Sequence, residues 1–173
     1  MATLFANLEN KTGHPESGGG VNAFKEREYV AGLDMRTKKH DPESPRYGTL
    51  ALTTVRLREG KAPAEPHPPT VRREPHPPSW KGLNVKTHWL RGGWFDTLHD
   101  FWDAASQHGE LEDNREPAEA EANRNDVGSI GLKVELAAGE KVTLPIFITW
   151  HNPNFEKYWG SGLCLSAAIP LLL

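Results

Sequence analysis

Residues 130–153 read IGLKVELAAGEKVTLPIFITWHNP. Ile130, Leu132, Val134 and Leu136 alternate with Gly131, Lys133 and Glu135. After the segment AAGEK at 137–141, Val142, Leu144, Ile146, Ile148 and Trp150 alternate with Thr143, Pro145, Phe147 and Thr149. Period-two alternation sends successive side chains to opposite faces of a strand, so the stretch predicts a β-hairpin with one strongly apolar face. Phe147 adds apolar surface to the other face. Pro145 has no N–H to give a ladder, which places the second strand buried near its end but at a sheet edge or bulge around Pro145. On this reading Trp150 closes a sandwich core. His151, Asn152 and Pro153 then lead the chain outward to a domain junction, where Asn or His bonds exposed backbone groups. His151 reads as a satisfied structural residue rather than a base, because no partner nucleophile stands near it in the sequence.

Working outward, ATLFANLEN at 2–10 is strand-like and passes into TGHPESGGGVN, where Gly18, Gly19 and Gly20 predict a long irregular loop. YVAGLDMRT at 29–37 and TLALTTVRL at 49–57 read as two short strands joined by the turn region KKHDPESPRYG. In the second, Leu50, Leu52 and Thr54 face one way and Ala51 and Thr53 the other. Residues 59–81 carry the pentamer EPHPP twice, at 65–69 and 74–78. Proline at this density removes backbone donors and favours extended conformation, so the segment reads as an exposed Pro-rich loop. His67 and His76 are only two ligands on a loop, a poor metal site.

Residues 92–109, GGWFDTLHDFWDAASQHG, change period. Trp94, Leu98, Phe101, Trp102 and Ala105 recur at three- and four-residue spacing, which predicts one amphipathic helix with an aromatic core stripe, stopped at Gly109. Asp96, Asp100 and Asp103 are assigned to its solvated side. The acidic stretch GELEDNREPAEAEANRNDVG at 109–128 reads as a surface loop. Strands with long loops and a single helix predict a mainly β fold, an antiparallel β-sandwich, partial, with one short amphipathic helix.

Composition bounds the function. The 173 residues suit one domain, or one piece of a larger one. Only 37% are hydrophobic, the mean hydropathy is -0.60, and there are 16 Gly and 14 Pro, which predicts a thin core. A net charge of -3 and a pI near 6.2 give no general attraction to nucleic acid. The single cysteine, Cys164, forms no internal disulfide, and MATLFANLEN lacks the basic-then-apolar layout of a signal peptide, so a reducing compartment is expected. LCLSAAIPLLL at 163–173 is too short to span a bilayer. Asn10-Lys11-Thr12 matches a glycosylation acceptor, a triplet that is common by chance. There is no Gly-rich phosphate loop, paired-cysteine metal site, GxSxG or HExxH motif.

The order VELAAGEKVTLPIFITWHNPNFEKYWG, ending a strand in Trp-His with a proline soon after, resembles the N-terminal domain of glycoside hydrolase family 116. That family includes the non-lysosomal glucosylceramidases, or bile acid β-glucosidases, and bacterial β-glucosidases. LFANLEN resembles its strand ending in Glu-Asn, YGTLALTT its next Gly-Thr-led strand, and WFDTLHDFWDAASQHGEL its aromatic helix, with Ala105 or Gln107 near where a further aromatic is expected. The resemblance runs from Leu4 to Trp159 and is strongest from Gly128 onward.

It implies that residues 1–159 are part of the family's N-terminal sandwich, with the loop at 59–81 inside it. Residues 160–173 are expected to be an unmatched tail, truncated or frameshifted, with the catalytic (α/α)6 barrel absent. A retaining glycosidase needs two carboxyl groups about 5–5.5 Å apart. In this family both lie on the barrel, so no catalytic, cofactor-binding or metal residue is expected here; a pair drawn from Glu110, Glu112 and Asp113 has no support. The implied partners are that barrel and, through it, a carbohydrate or glycolipid substrate, in a cytoplasmic parent that is membrane-peripheral. No nucleic acid and no transmembrane segment are implied. The competing expectation is an independent carbohydrate-binding or interaction module using Trp80, Trp89 and Trp94 as stacking surfaces. Six tryptophans and the clean alternation argue against a disordered scaffold.

Overall fold

The computed structural model describes residues 1–55, 80, 82–92, 96–156 and 163–165, without the side chains of 155, 156 and 163–165. Almost all of the Pro-rich loop at 59–81, Trp94, and residues 157–162 and 166–173 of the C-terminal stretch lie outside the described residues.

Three strands form one sheet. β1 (Ala2–Glu9) and β5 (Leu83–Lys86) flank β7 (Val127–Val134), and both pair with it antiparallel. Five strands form the other, in the order β6 (Ala118–Glu119), β2 (Gly20–Glu26), β3 (Val30–Thr37), β4 (Thr49–Val55) and β8 (Ile146–His151), again antiparallel throughout. A small antiparallel pair, β9 (Asn154–Glu156) and β10 (Leu163–Leu165), completes the strands, and α1 (Asp96–His108) is the one α-helix among the described residues. The predicted mainly β, two-sheet architecture is therefore what the chain adopts.

The sheets stack face to face, with β7 across β3 and β4 and β1 across β4. Between them lie Ala31, Leu33 and Met35 of β3, Leu52 of β4, Leu83 and Val85 of β5, and Ile130 and Leu132 of β7. Burying each larger side chain contributes about 1.5–3 kcal/mol. Alternation explains the selection: Leu50, Leu52 and Thr54 point inward, as the sequence predicts, and Thr54 is 2% exposed. Gly128 marks the closest approach of the sheets. A Cβ there would stand 2.5 Å from Leu33 Cδ1 and 3.0 Å from Met35 Cε.

Several predictions are corrected. Ile130–Leu136 and Val142–Trp150 do not form a hairpin. Gly139 and the Glu140 N–H to Ala137 O bond do make a turn, but β7 is already paired on both edges, so β8 crosses to β4 in the other sheet. As the outermost strand, β8 is indeed at a sheet edge, but it is not buried: Trp150 is 67% and Ile148 52% exposed, so Trp150 does not close the core. Gly18 and Gly19 adopt positive φ in a turn, yet Gly20 already begins β2. The acidic stretch at 109–128 is not simply surface loop, because Leu111, Ala118, Ala120 and Asp126 are buried and Ala118–Glu119 pairs with β2.

A buried polar chain ties the layers together. Asn10 Nδ2 donates to Asn22 Oδ1 at 2.8 Å, Asn22 Nδ2 donates to Thr87 O at 2.8 Å, and Asn10 Oδ1 accepts from the Thr12 N–H and hydroxyl. Asn10, Asn22 and Thr87 are fully buried, so Asn10 offers no accessible amide to a glycosyl transfer. Replacing Asn22 by Ala strands the Asn10 amide and the Thr87 carbonyl in a dry interior. Urea unfolding of the Asn22→Ala chain is expected to show a loss of about 2–4 kcal/mol at unchanged m-value.

Candidate functional site

The helix lies on the outer face of the three-stranded sheet. Its anchor is Phe101, which meets the Phe5 ring edge-on at 5.6 Å and stacks on Trp89 at 5.0 Å; Trp89 Nε1 in turn donates to Ser129 Oγ at 2.7 Å. Lys86 Nζ, with its side chain 8% exposed, reaches Asp100 Oδ1 at 2.9 Å, and Asp100 Oδ2 accepts from the Leu90 N–H. Thr3 Oγ1 donates to Gly109 O, where a positive φ ends the helix as the sequence predicts.

The helical face is rotated from the predicted one. Phe101, Ala104, Ala105 and Asp100 turn toward the sheet, whereas Leu98 (55% exposed) and Trp102 (62%) face out. Lys86 explains the difference, since a cation under the helix draws Asp100 inward and sets the register. Trp89, offered as a stacking surface, is consumed by Phe101 and Ser129, and Trp80 packs partly buried against the core.

The carboxylates hold structural partners. Asp96, Asp100 and Asp103, with Leu90 and His99, line a shallow open depression, in which His99 Nδ1 is 3.6 Å from Asp103. Glu110 pairs with Lys133 at 2.6 Å, whose hydrogen bond and charge hold its pKa below the ordinary range. Glu112 is exposed, and Asp113 accepts from the Val85 N–H and pairs with Arg115. Thus Glu110 and Asp113 are committed to different strands.

Two features escaped the sequence reading. Arg91 grips buried Asp126 through two bonds, 3.1 Å from Nε and 2.7 Å from Nη2, and also donates to Glu119 O. The Asp126 hydrogen bond raises the guanidinium pKa. At the other end, Asn154 Nδ2 donates to Pro42 O and Ser44 O, so the amide that bonds exposed backbone is Asn154, while His151 and Asn152 are exposed. An acidic stretch after a lone Arg was the only sequence hint of the first. The second had none.

Among the described residues, two groupings of exposed apolar side chains stand out beyond these contacts. One is the outward helical pair Leu98 and Trp102 with Leu90 nearby (57% exposed). The other is β8, whose Ile148 and Trp150 are exposed at the edge of the five-stranded sheet.

A family model described as beta-glucosidase 2, glycosyl-hydrolase family 116 N-term, matches residues 1–166, and the chain belongs to that family. The match takes in both sheets, α1 and the β9–β10 pair. No curated protein matches the chain. An N-terminal domain of this family implies a catalytic-domain partner in the parent protein. Among the described residues no helix is long and apolar enough to cross a membrane.

The Lys86–Asp100 pair sets the helix, and its two halves are not equivalent. Asp100→Ala leaves a buried ammonium unpaired and is expected to cost about 2–3 kcal/mol, below the cost of breaking a fully enclosed pair because water still reaches Asp100. Lys86→Met is expected to cost less, since Asp100 keeps the Leu90 amide; thermal unfolding of the two variants checks the order. For the surface pairs, Glu110 and Glu119 have folded pKa values lowered by Lys133 and Lys38 respectively. Their stabilisation is present above the ordinary carboxyl value of 4.5 and is lost as pH falls through the lower folded values. Denaturation midpoints measured from neutral pH downward are expected to fall less steeply in acid for the Glu110→Gln, Glu119→Gln double variant.

Proposed function

We propose that this member of the glycoside hydrolase family 116 N-terminal family is a non-catalytic β-sandwich that docks on, and supports, a catalytic (α/α)6 barrel. The barrel hydrolyses β-glucosidic bonds, with glucosylceramide as the candidate lipid substrate, and the parent works in the cytoplasm at a membrane surface. Residues 1–159 are assigned to the sandwich.

The observation that carries this reading is the face of α1. Its inner side is fixed by Phe101 and Asp100, so Leu98 and Trp102, one helical turn apart, are held outward on a rigid support. An exposed apolar pair at four-residue spacing is the ridge that packs into the grooves of another helix, and an (α/α)6 barrel presents helices on its outside. The structural commitments of Asp100, Glu110 and Asp113 also favour a supporting role. Each would have to abandon a lysine, an arginine or a backbone amide to act on a glycosidic bond.

The test mixes the chain with the separately produced parent barrel and follows both binding and hydrolysis of an aryl β-glucoside. The chain alone is expected to be inactive, and the mixture to be more active or more heat-stable than the barrel alone. Trp102→Ala is expected to raise Kd about thirty-fold, roughly 2 kcal/mol. Hydrolysis by the chain alone, or a barrel that neither binds nor responds to it, would sink the reading.

A further inference from the structure

We propose that the outer face of the five-stranded sheet binds a short neutral β-linked gluco-oligosaccharide, laid across the strands from β2 to β8. The choice of glucose rests on the reading that the parent hydrolyses β-glucosidic bonds; the site rests on the geometry of this face. Leu33 and Met35 of β3 and Leu52 of β4 point into the core, so alternation turns Asp34, Arg36 and Ala51 outward. α1 is the one helix among the described residues and packs on the other sheet, so no described helix covers this face.

The register lays the outward side chains in rows across the strands. Ala23, Asp34, Ala51 and Thr149 form the middle row. Arg36 and His151 stand on one side of it, Lys25 and Phe147 on the other. Short side chains between longer ones leave a trough, and at its β2–β3 end lies a hollow of about 230 Å3 bordered by Ala23, Lys25, Asp34 and Arg36. From β2 to β8 is three strand spacings, about 14 Å, which suits a short oligosaccharide better than a single sugar ring.

The polar groups select a ligand rich in hydroxyls and free of charge. Arg36 meets Asp34 side-on, with Nε donating to Oδ1 at 2.9 Å and Nη2 standing 2.6 Å from Oδ2. Their charges cancel inside the trough, yet the guanidinium keeps N–H groups and the carboxylate keeps lone pairs for neighbouring sugar hydroxyls. The Arg36 side chain is 66% exposed, so those donors are within a ligand's reach. Asp34 raises the guanidinium pKa, with a smaller contribution from Tyr47 that places its hydroxyl near the same group. At the far end Phe147, 43% exposed, offers an apolar ring to the C–H face of a pyranose. An anion gains little here, because Arg36 and Lys38 are already neutralised by Asp34 and Glu119. A docked helix would have to take the Asp34–Arg36 pair out of water without replacing its hydrogen bonds.

Proton–nitrogen NMR of the whole chain, titrated separately with cellotetraose and laminaritetraose, tests this. Saturable shifts with at least one of them are expected, concentrated in residues 21–25, 34–37, 49–53 and 147–151. In calorimetry Phe147→Ala and Arg36→Lys are each expected to raise Kd about ten-fold, with far-UV circular dichroism unchanged. Arg36→Lys keeps the charge and removes only the planar fork. His99→Ala, on α1, is expected to bind as the wild type does. No saturable shift with either sugar at millimolar concentration, shifts that map to another face, or both trough variants binding like the wild type would each overturn the proposal. The barrel takes no part in these measurements, so a failure here is distinct from a failure of the docking reading.

Discussion

The rest of the architecture depends on the saturation of β7. With β1 on one edge and β5 on the other, it has no ladder left to offer, and Gly128 seats it directly on Leu33 and Met35 of the facing sheet. The chain leaving Val134 must therefore change sheets before it can form another strand. It does so through residues 135–145 and joins β4. That crossing places β8 outermost, so the apolar alternation of Val142–Trp150 ends at a lip and not in a centre. A two-residue-period pattern reports which side chains share a face; it does not report whether anything covers that face.

This is why legibility was uneven along the chain. β1, β3 and β4 were readable because their inward residues are Leu, Met, Ala and one Thr in strict alternation, and α1 and its stop at Gly109 were readable from helical spacing and a glycine. β2 was not, because its inward positions are Asn22 and Phe24 and its strand begins on a glycine. An asparagine scores as loop in any local reading. Here it is the hub joining Asn10 to the Thr87 carbonyl, contacts 12 and 65 residues away in sequence. β5 and β6, four and two residues long, carry too little pattern for any period to register. The helix face failed for a related reason: apolarity suggested burying Leu98 and Trp102, but an ion pair with Lys86, ten or more residues upstream, decided the rotation.

The buried polar groups also make the thin core intelligible. Among the described residues eight apolar side chains form the central cluster, and its margins are closed by groups whose hydrogen bonds are satisfied. Asn10, Asn22, Thr87 and Ser129 are fully buried, and the carboxylate of Asp126 is held by Arg91. Such groups add little net energy when paired but cost heavily when one partner is removed. They therefore fix how the sheets sit on each other more than they drive the sheets together.

The two apolar surfaces differ in geometry, and that difference constrains what each can take. Leu98 and Trp102 project from a cylinder whose own backbone bonds are satisfied within the helix, so only side-chain packing is on offer and a helical neighbour fits best. Among the described residues, nothing pairs with the outer edges of β1 and β8, beside which lie Leu4, Ile148 and Trp150. A helix laid there would cover the side chains but leave the ladder unmet; a strand satisfies both. Because α1 lies on the outer face of the three-stranded sheet and β8 forms the edge of the five-stranded one, the two apolar surfaces are separate, and the proposed contact through the helix leaves the β8 edge uncovered.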